Sequence, residues 1–89
     1  MPDYRIVFTR SARKELEQID SPLVERILNK IEALGNNPYP HDSRKLQTSK
    51  RLWRIRVGTY RIIYDIDDDC LVVDVVAIRH RKDAYRKMP

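Results

Sequence analysis

The sequence has 89 residues, room for one compact domain and not for two, since domains typically run to roughly 100–150 residues. A domain of this size buries only about 60% of the surface its unfolded chain exposes, which excludes a deep catalytic cavity and moves any chemistry to a sheet face or shallow groove. Eighteen Lys and Arg against thirteen Asp and Glu leave a net charge of +5, which fits a polyanionic partner and an ordinary basic surface equally well.

Met1, Pro2 and Asp3 lead straight into a strand pattern with no apolar leader run, and no stretch approaches the ~18 apolar residues of a membrane span. The expected setting is the cytoplasm, with no membrane partner. Tyr4, Ile6 and Phe8 alternate with Arg5, Val7 and Thr9, the period of a half-buried strand. Thr9 is placed to cap a helix in which Ala12, Leu16 and Ile19 form one apolar stripe, running to Asp20. Ser21 before Pro22 reads as the cap of a second helix, with proline at the first helical position where its missing N–H costs nothing. Val24, Ile27, Leu28, Ile31 and Leu34 hold the 3.6 period until Gly35, Asn36, Asn37 and Pro38 end it. Only Asp20 and Ser21 separate the helices, so an antiparallel helical hairpin is expected.

Residues 39–50 are polar and without period, and read as a loop. Trp53, Ile55 and Val57 then alternate with Leu52, Arg54 and Arg56, and after Gly58 and Thr59 another strand runs from Tyr60 to Ile66. Asp67, Asp68 and Asp69 read as a solvated turn, since they lack the glycine and spaced ligands of a calcium loop. Cys70 is the single cysteine; it permits no intrachain disulfide and is expected as a small buried hydrophobe, with no metal site around it. Residues 71–78 are almost continuously apolar, the pattern of a central strand. The order β-α-α-β-β-β predicts a single α+β domain over residues 1–89: an antiparallel sheet with the N-terminal helical hairpin packed on one face.

The charge is unevenly placed along this order. Residues 43–64 hold seven bases and no acid, and residues 79–89 hold five bases and the single acid Asp83, so the remainder is net negative. Such a concentration is either the footprint of a phosphate backbone or an ordinary basic surface. Glycine at the first central position of a two-residue hairpin loop marks a type II′ turn, and that turn sets the register: Val57 faces Tyr60, Arg56 faces Arg61, and Arg54 faces Ile63. Strand alternation then puts Arg54, Arg56 and Arg61 on one face, and Trp53, Ile55, Val57, Tyr60, Ile62 and Tyr64 on the other, under the helices. Like charges opposed on a sheet cost about 0.2–1 kcal/mol. Arg56 against Arg61 is therefore either an anion site gripped by guanidinium forks or a splayed, solvated pair.

Cleaving RNA through its own 2′-hydroxyl needs a base for that hydroxyl, positive charge on the non-bridging oxygens and an acid for the leaving oxygen. His80 titrates near neutral pH and Tyr85 can donate a proton or stack on a nucleobase, so both are candidates beside the arginines. His41 has no sequence partner and is taken as structural. With only two glycines there is no phosphate-cradling loop, and no cofactor or metal is implied.

Three segments in order resemble the RelE branch of the RelE/ParE toxin superfamily: the strand Tyr4-Arg5-Ile6-Val7-Phe8 with Ser11-Ala12-Arg13-Lys14-Glu15-Leu16, the hairpin Leu52-Trp53-Arg54-Ile55-Arg56-Val57-Gly58 with Tyr60-Arg61-Ile62-Ile63-Tyr64, and the close Ile78-Arg79-His80-Arg81-Lys82-Asp83-Ala84-Tyr85-Arg86. The resemblance covers the whole length. It implies a microbial ribonuclease-like fold and a toxin of a type II toxin–antitoxin pair, a ribosome-dependent endonuclease that cuts translated mRNA without a metal. The family's functional positions fall on Arg54, Arg56, Arg61, Arg79 or Arg81, and Tyr85. The best-known RelE proteins carry lysines at the first two, and arginine cannot shuttle a proton at neutral pH, which shifts proton transfer towards His80 and Tyr85. The partners implied are the ribosome, mRNA and a cognate antitoxin with an acidic, partly disordered wrapping segment, with higher-order assembly through an antitoxin DNA-binding half. The ParE branch implies a different outcome on the same fold: a non-enzymatic inhibitor of DNA gyrase.

Overall fold

The computed structural model describes residues 3–20, 22–49 and 51–81. Thr9 sets the first boundary. Strand β1 (Arg5–Phe8) ends there, and the Thr9 hydroxyl accepts from the Ala12 N–H at 3.1 Å to cap helix α1 (Arg10–Glu17). The helix stops short of the expected Asp20, its last turn closing on the Lys14, Glu15 and Leu16 carbonyls. Helix α2 (Leu23–Leu34) begins after Pro22, which is the flanking residue and not the first helical one; the expected Ser21 cap lies outside the described residues. Gly35 closes α2 by proximity: its carbonyl accepts from the Tyr4 N–H at 2.7 Å, and a Cβ there would stand 3.1 Å from the Tyr4 oxygen.

Among the described residues five strands form one sheet in the order β1-β5-β4-β3-β2, with β2 Arg44–Lys45, β3 Leu52–Val57, β4 Tyr60–Asp67 and β5 Val72–His80. Two expectations change. The segment read wholly as loop contains β2, whose two residues pair with Arg54 and Trp53 on the outer edge of β3. The sheet is mixed and not antiparallel, because β1 joins the far edge of β5 in parallel, Arg5 to Val72 through Phe8 to Val75. Sequence alternation reports which face a strand buries; it carries nothing on which edge a distant strand joins or in which direction. The apolar run of β5 does lie centrally, between β1 and β4.

One sheet face carries the core. Ala12, Ile27, Ile31 and Leu34 of the helices meet Ile55, Val57, Ile62, Tyr64, Val73, Val75 and Ile78 of the sheet. This is the face set expected from the hairpin register, with Trp53 and Tyr60 packed at its margins. Burial pushes the Tyr64 phenol up to about 12, and its hydroxyl donates to the Pro38 carbonyl at 3.0 Å, tying the loop to the sheet.

The acidic turn is built into the structure. The hydroxyls of Tyr39 and Tyr4 both donate to the Asp68 carboxylate at 2.6 Å, which holds that carboxyl below its ordinary range and pushes Tyr39 up to about 12. Asp67 Oδ1 accepts from the Asp69 and Cys70 N–H groups at 3.0 and 2.9 Å. Cys70 is exposed and not buried as expected, because its place is in this turn and not in the strand that follows. Among the described residues no helix is long and apolar enough to cross a membrane.

Candidate functional site

The β3–β4 hairpin turns at Gly58 and Thr59, and of the two only Gly58 has positive φ, 57°, the type II′ pattern. A Cβ at Gly58 would approach Leu23 Cδ1 to 2.9 Å, so glycine also lets the turn sit on the start of α2. Pairing runs Val57–Tyr60, Arg56–Arg61 and Arg54–Ile63, the register read from the turn. Arg61 in turn pairs with Arg79 of β5. Arg56, Arg61 and Arg79 therefore stand in one row across three strands, about 10 Å from first to last at ordinary strand spacing.

Arg79 reaches this row through a break in alternation. Val73 and Val75 face the helices, so strict alternation would send residues 77 and 79 there too. Instead Ile63 pairs with Ala77 and Tyr64 with Val75, leaving Val76 as an extra residue. This bulge turns Ile78 into the core and Arg79 onto the face away from the helices, on which Arg61, Ile63 and Ala77 are buried. Thr9 supports it: its N–H donates to the Val75 carbonyl at 3.0 Å and its hydroxyl to that of Val76 at 3.2 Å.

The same phase shift decides where the other sequence candidates stand. His80 pairs with Tyr60, and their rings meet edge-on with centroids 5.3 Å apart, so His80 lies on the helix-bearing side and is not brought together with the arginine row. Arg54 shares the face of the row one step along, in register with the buried Ile63 and with Arg44 of β2. Arg81 follows β5, its N–H donating to the Thr59 carbonyl at 2.6 Å. Tyr85 lies outside the described residues. His41 is exposed, and its carbonyl accepts from the Arg44 guanidinium at 3.2 Å, a loop contact away from the row.

Arg61, at the centre, is only 6% exposed, which rules out the splayed, solvated arrangement for that side chain. Arg56, Arg61 and Arg81 line an open hollow of about 60 Å³ with the turn residues. Small-molecule pockets run to roughly 300–1,000 Å³, so the hollow suits an anionic group presented by something larger. Among the described residues no group of three His, Cys, Asp or Glu is placed to hold a metal. One contributor was missed by the sequence reading: Glu15 of α1 ion-pairs with Arg79 Nε at 2.5 Å. In sequence it is one more charge on the polar side of a short helix, and nothing in its spacing signals the contact.

Residues 6–85 match the family described as the ParE toxin of type II toxin–antitoxin system, parDE. A putative RelE-like toxin protein of Escherichia coli is 30% identical over 86 residues, covering 92% of this chain and 90% of that protein. Toxin RelG of Mycobacterium tuberculosis is 27% identical over 85 residues, covering 94% and 98%. Among solved structures, the archaeal RelE–RelB complex from Pyrococcus horikoshii matches with a TM-score of 0.78 and 27% identity, over 94% of this chain and 100% of that one. With the fold, the hairpin register and these matches in agreement, the chain belongs to the RelE/ParE superfamily of type II toxin–antitoxin toxins.

Proposed function

We propose that the protein is a ribosome-dependent endoribonuclease that cuts translated mRNA in the cytoplasm. The observation that carries this reading is the row of Arg56, Arg61 and Arg79, in register on the sheet face away from the helices, with Arg54 along the same face and Arg81 lining the hollow with Arg56 and Arg61. In the reaction the substrate's 2′-oxygen bonds to the adjacent phosphorus and the bond to the 5′-oxygen breaks, leaving a 2′,3′-cyclic phosphate and a 5′-hydroxyl. One proton leaves the 2′-hydroxyl and one is delivered to the 5′-oxygen. The guanidinium groups stabilise the extra negative charge on the non-bridging oxygens, a role that needs no proton transfer from them. Tyr85 is the proposed proton donor; His80, on the helix-bearing side of β5, does not stand at the row, and the 2′-hydroxyl proton passes to solvent. With so little built-in acid–base machinery, the ribosome supplies much of the substrate's alignment.

The antitoxin partner is part of the proposal. The Pyrococcus relative was solved with RelB, and the basic face of this chain is complementary to a segment combining acidic side chains with apolar anchors. A second reading, gyrase inhibition without catalysis, is favoured by the family match to ParE. Expression of the chain with two parallel assays separates them. Primer extension on translated mRNA is expected to show new 5′ ends, while supercoiling by gyrase stays intact. Uncut mRNA with blocked supercoiling would reverse the assignment, and robust cleavage of naked oligonucleotides would remove the ribosome from it.

A further inference from the structure

Beyond Phe8, β1 no longer covers the outer edge of β5, and α1 takes its place there. Glu15 of that helix makes two contacts at once. Its Oε1 accepts from the Ile78 backbone N–H at 2.9 Å, and its Oε2 pairs with Arg79 Nε at 2.5 Å. The first satisfies a backbone donor at a sheet edge, where such groups otherwise face solvent or a second chain. The second grips the last arginine of the row. The two side chains keep only 22% and 26% of their exposure, so the pair is held between helix and sheet and is not a loose rim contact. Thr9 fastens the other end of α1 to the bulge, so helix and strand are joined on both sides of the phase shift that presents Arg79.

An arginine side chain has several rotamers to lose, and ordering it only on substrate binding costs free energy. A carboxylate against the buried Nε restrains the guanidinium through its charge, the contact not being aligned as a hydrogen bond, and that charge also offsets the repulsion from Arg56 and Arg61. We propose that Glu15 is a positioning residue, holding the Arg79 guanidinium in the arginine row for a phosphate of the RNA substrate. The substrate in this statement rests on the ribonuclease reading; the brace rests on the two contacts.

The test compares the wild-type chain, Glu15→Gln, Arg79→Ala and the double variant. Glutamine retains an oxygen for the Ile78 N–H and removes the charge facing Arg79. In the ¹⁵N spectrum the Arg79 Nε–H resonance is expected to be resolved and protected in the wild type and exchange-averaged in Glu15→Gln. On ribosome-bound mRNA, Glu15→Gln is expected to lower kcat roughly tenfold, the scale of one charge-assisted contact, with KM nearly unchanged. In the Arg79→Ala background the same substitution should change nothing further. An unaltered Arg79 resonance, or an equal loss of rate in both backgrounds, overturns the proposal, since Glu15 would then act on the fold alone. If the wild type cuts no mRNA, the ribonuclease reading fails by itself. The resonance, with the affinity of the same four proteins for a single-stranded RNA oligonucleotide, still decides for or against the brace.

Discussion

Like charges stand in register at both ends of the sheet face away from the helices, positive at one and negative at the other. Near the β3–β4 turn Arg56, Arg61 and Arg79 lie side by side; towards the acidic turn Asp65 lies opposite Asp74. The acidic end resolves its repulsion locally. Asp65 is bound by Arg51 at 2.7 Å, and partial burial together with the charge of Asp65 raises the Asp74 carboxyl above its ordinary range. Beyond them, Asp67 and Asp68 hold backbone N–H groups and two tyrosines. Arginine has no such outlet, because it stays charged at any pH the protein meets. Register-matched like charges therefore point to a ligand only where the chemistry of the side chain forbids neutralisation.

The largest effect should come from the centre of the row. Arg61→Ala is expected to reduce mRNA cleavage by roughly 100-fold or more, the scale seen when one charge-stabilising donor is removed from a transition state, and to relieve growth inhibition. Circular dichroism and a cooperative melt check that the variant stays folded. Full toxicity at equal expression would break the contrast between the two ends.

At the acidic end the expected loss is of stability, with toxicity intact. Asp68→Asn removes the charge that Tyr39 and Tyr4 stabilise. A carboxyl lowered by folding contributes stability above its unfolded value of about 3.9 and loses it as pH falls through the lowered folded value. The urea midpoint of Asp68→Asn should thus lie below that of the wild type at pH 7, with the gap closing in acid below about pH 3.9. A gap that is the same at all pH values would assign the effect to packing of the tyrosines and not to charge.

How much of this was legible in the sequence depends on whether the signal was local. The hairpin was, because Gly58 dictates a turn and the turn dictates the pairing of Arg56 with Arg61. Thr9 as a cap and the apolar stripes of both helices were legible for the same reason, except that Leu28, read into the stripe of α2, is exposed. The third member of the row was not. An unbroken apolar run over residues 71–78 hides a bulge, since every residue in it is acceptable on either face, and one extra residue exchanges the faces of Arg79 and His80. The parallel entry of β1, the short β2 and the contact of Glu15 with Arg79 are likewise set by segments far apart in the chain. Cys70 was misplaced because composition ranks cysteine as buried, whereas here it stands in the exposed turn between β4 and β5.

The smallest expected effect sharpens the contrast most, because it is a gain. Asp74 faces Asp65 across the β4–β5 pair, and its raised carboxyl shows that the folded state disfavours its charge. The unfolded chain ionises first as pH rises past about 3.9, so the penalty is absent in acid and complete only above the raised folded value. Asp74→Asn should therefore stabilise the protein at pH 7, by no more than about 0.5 kcal/mol given solvent screening of a cross-strand pair. The gain should shrink in high salt and vanish below about pH 3.9. Chemical denaturation at three pH values reads it directly. A loss of stability at pH 7 would mean that Asp74, like Asp68, holds a partner in the fold, and the acidic pair would no longer be an unfavourable encounter that the protein merely tolerates.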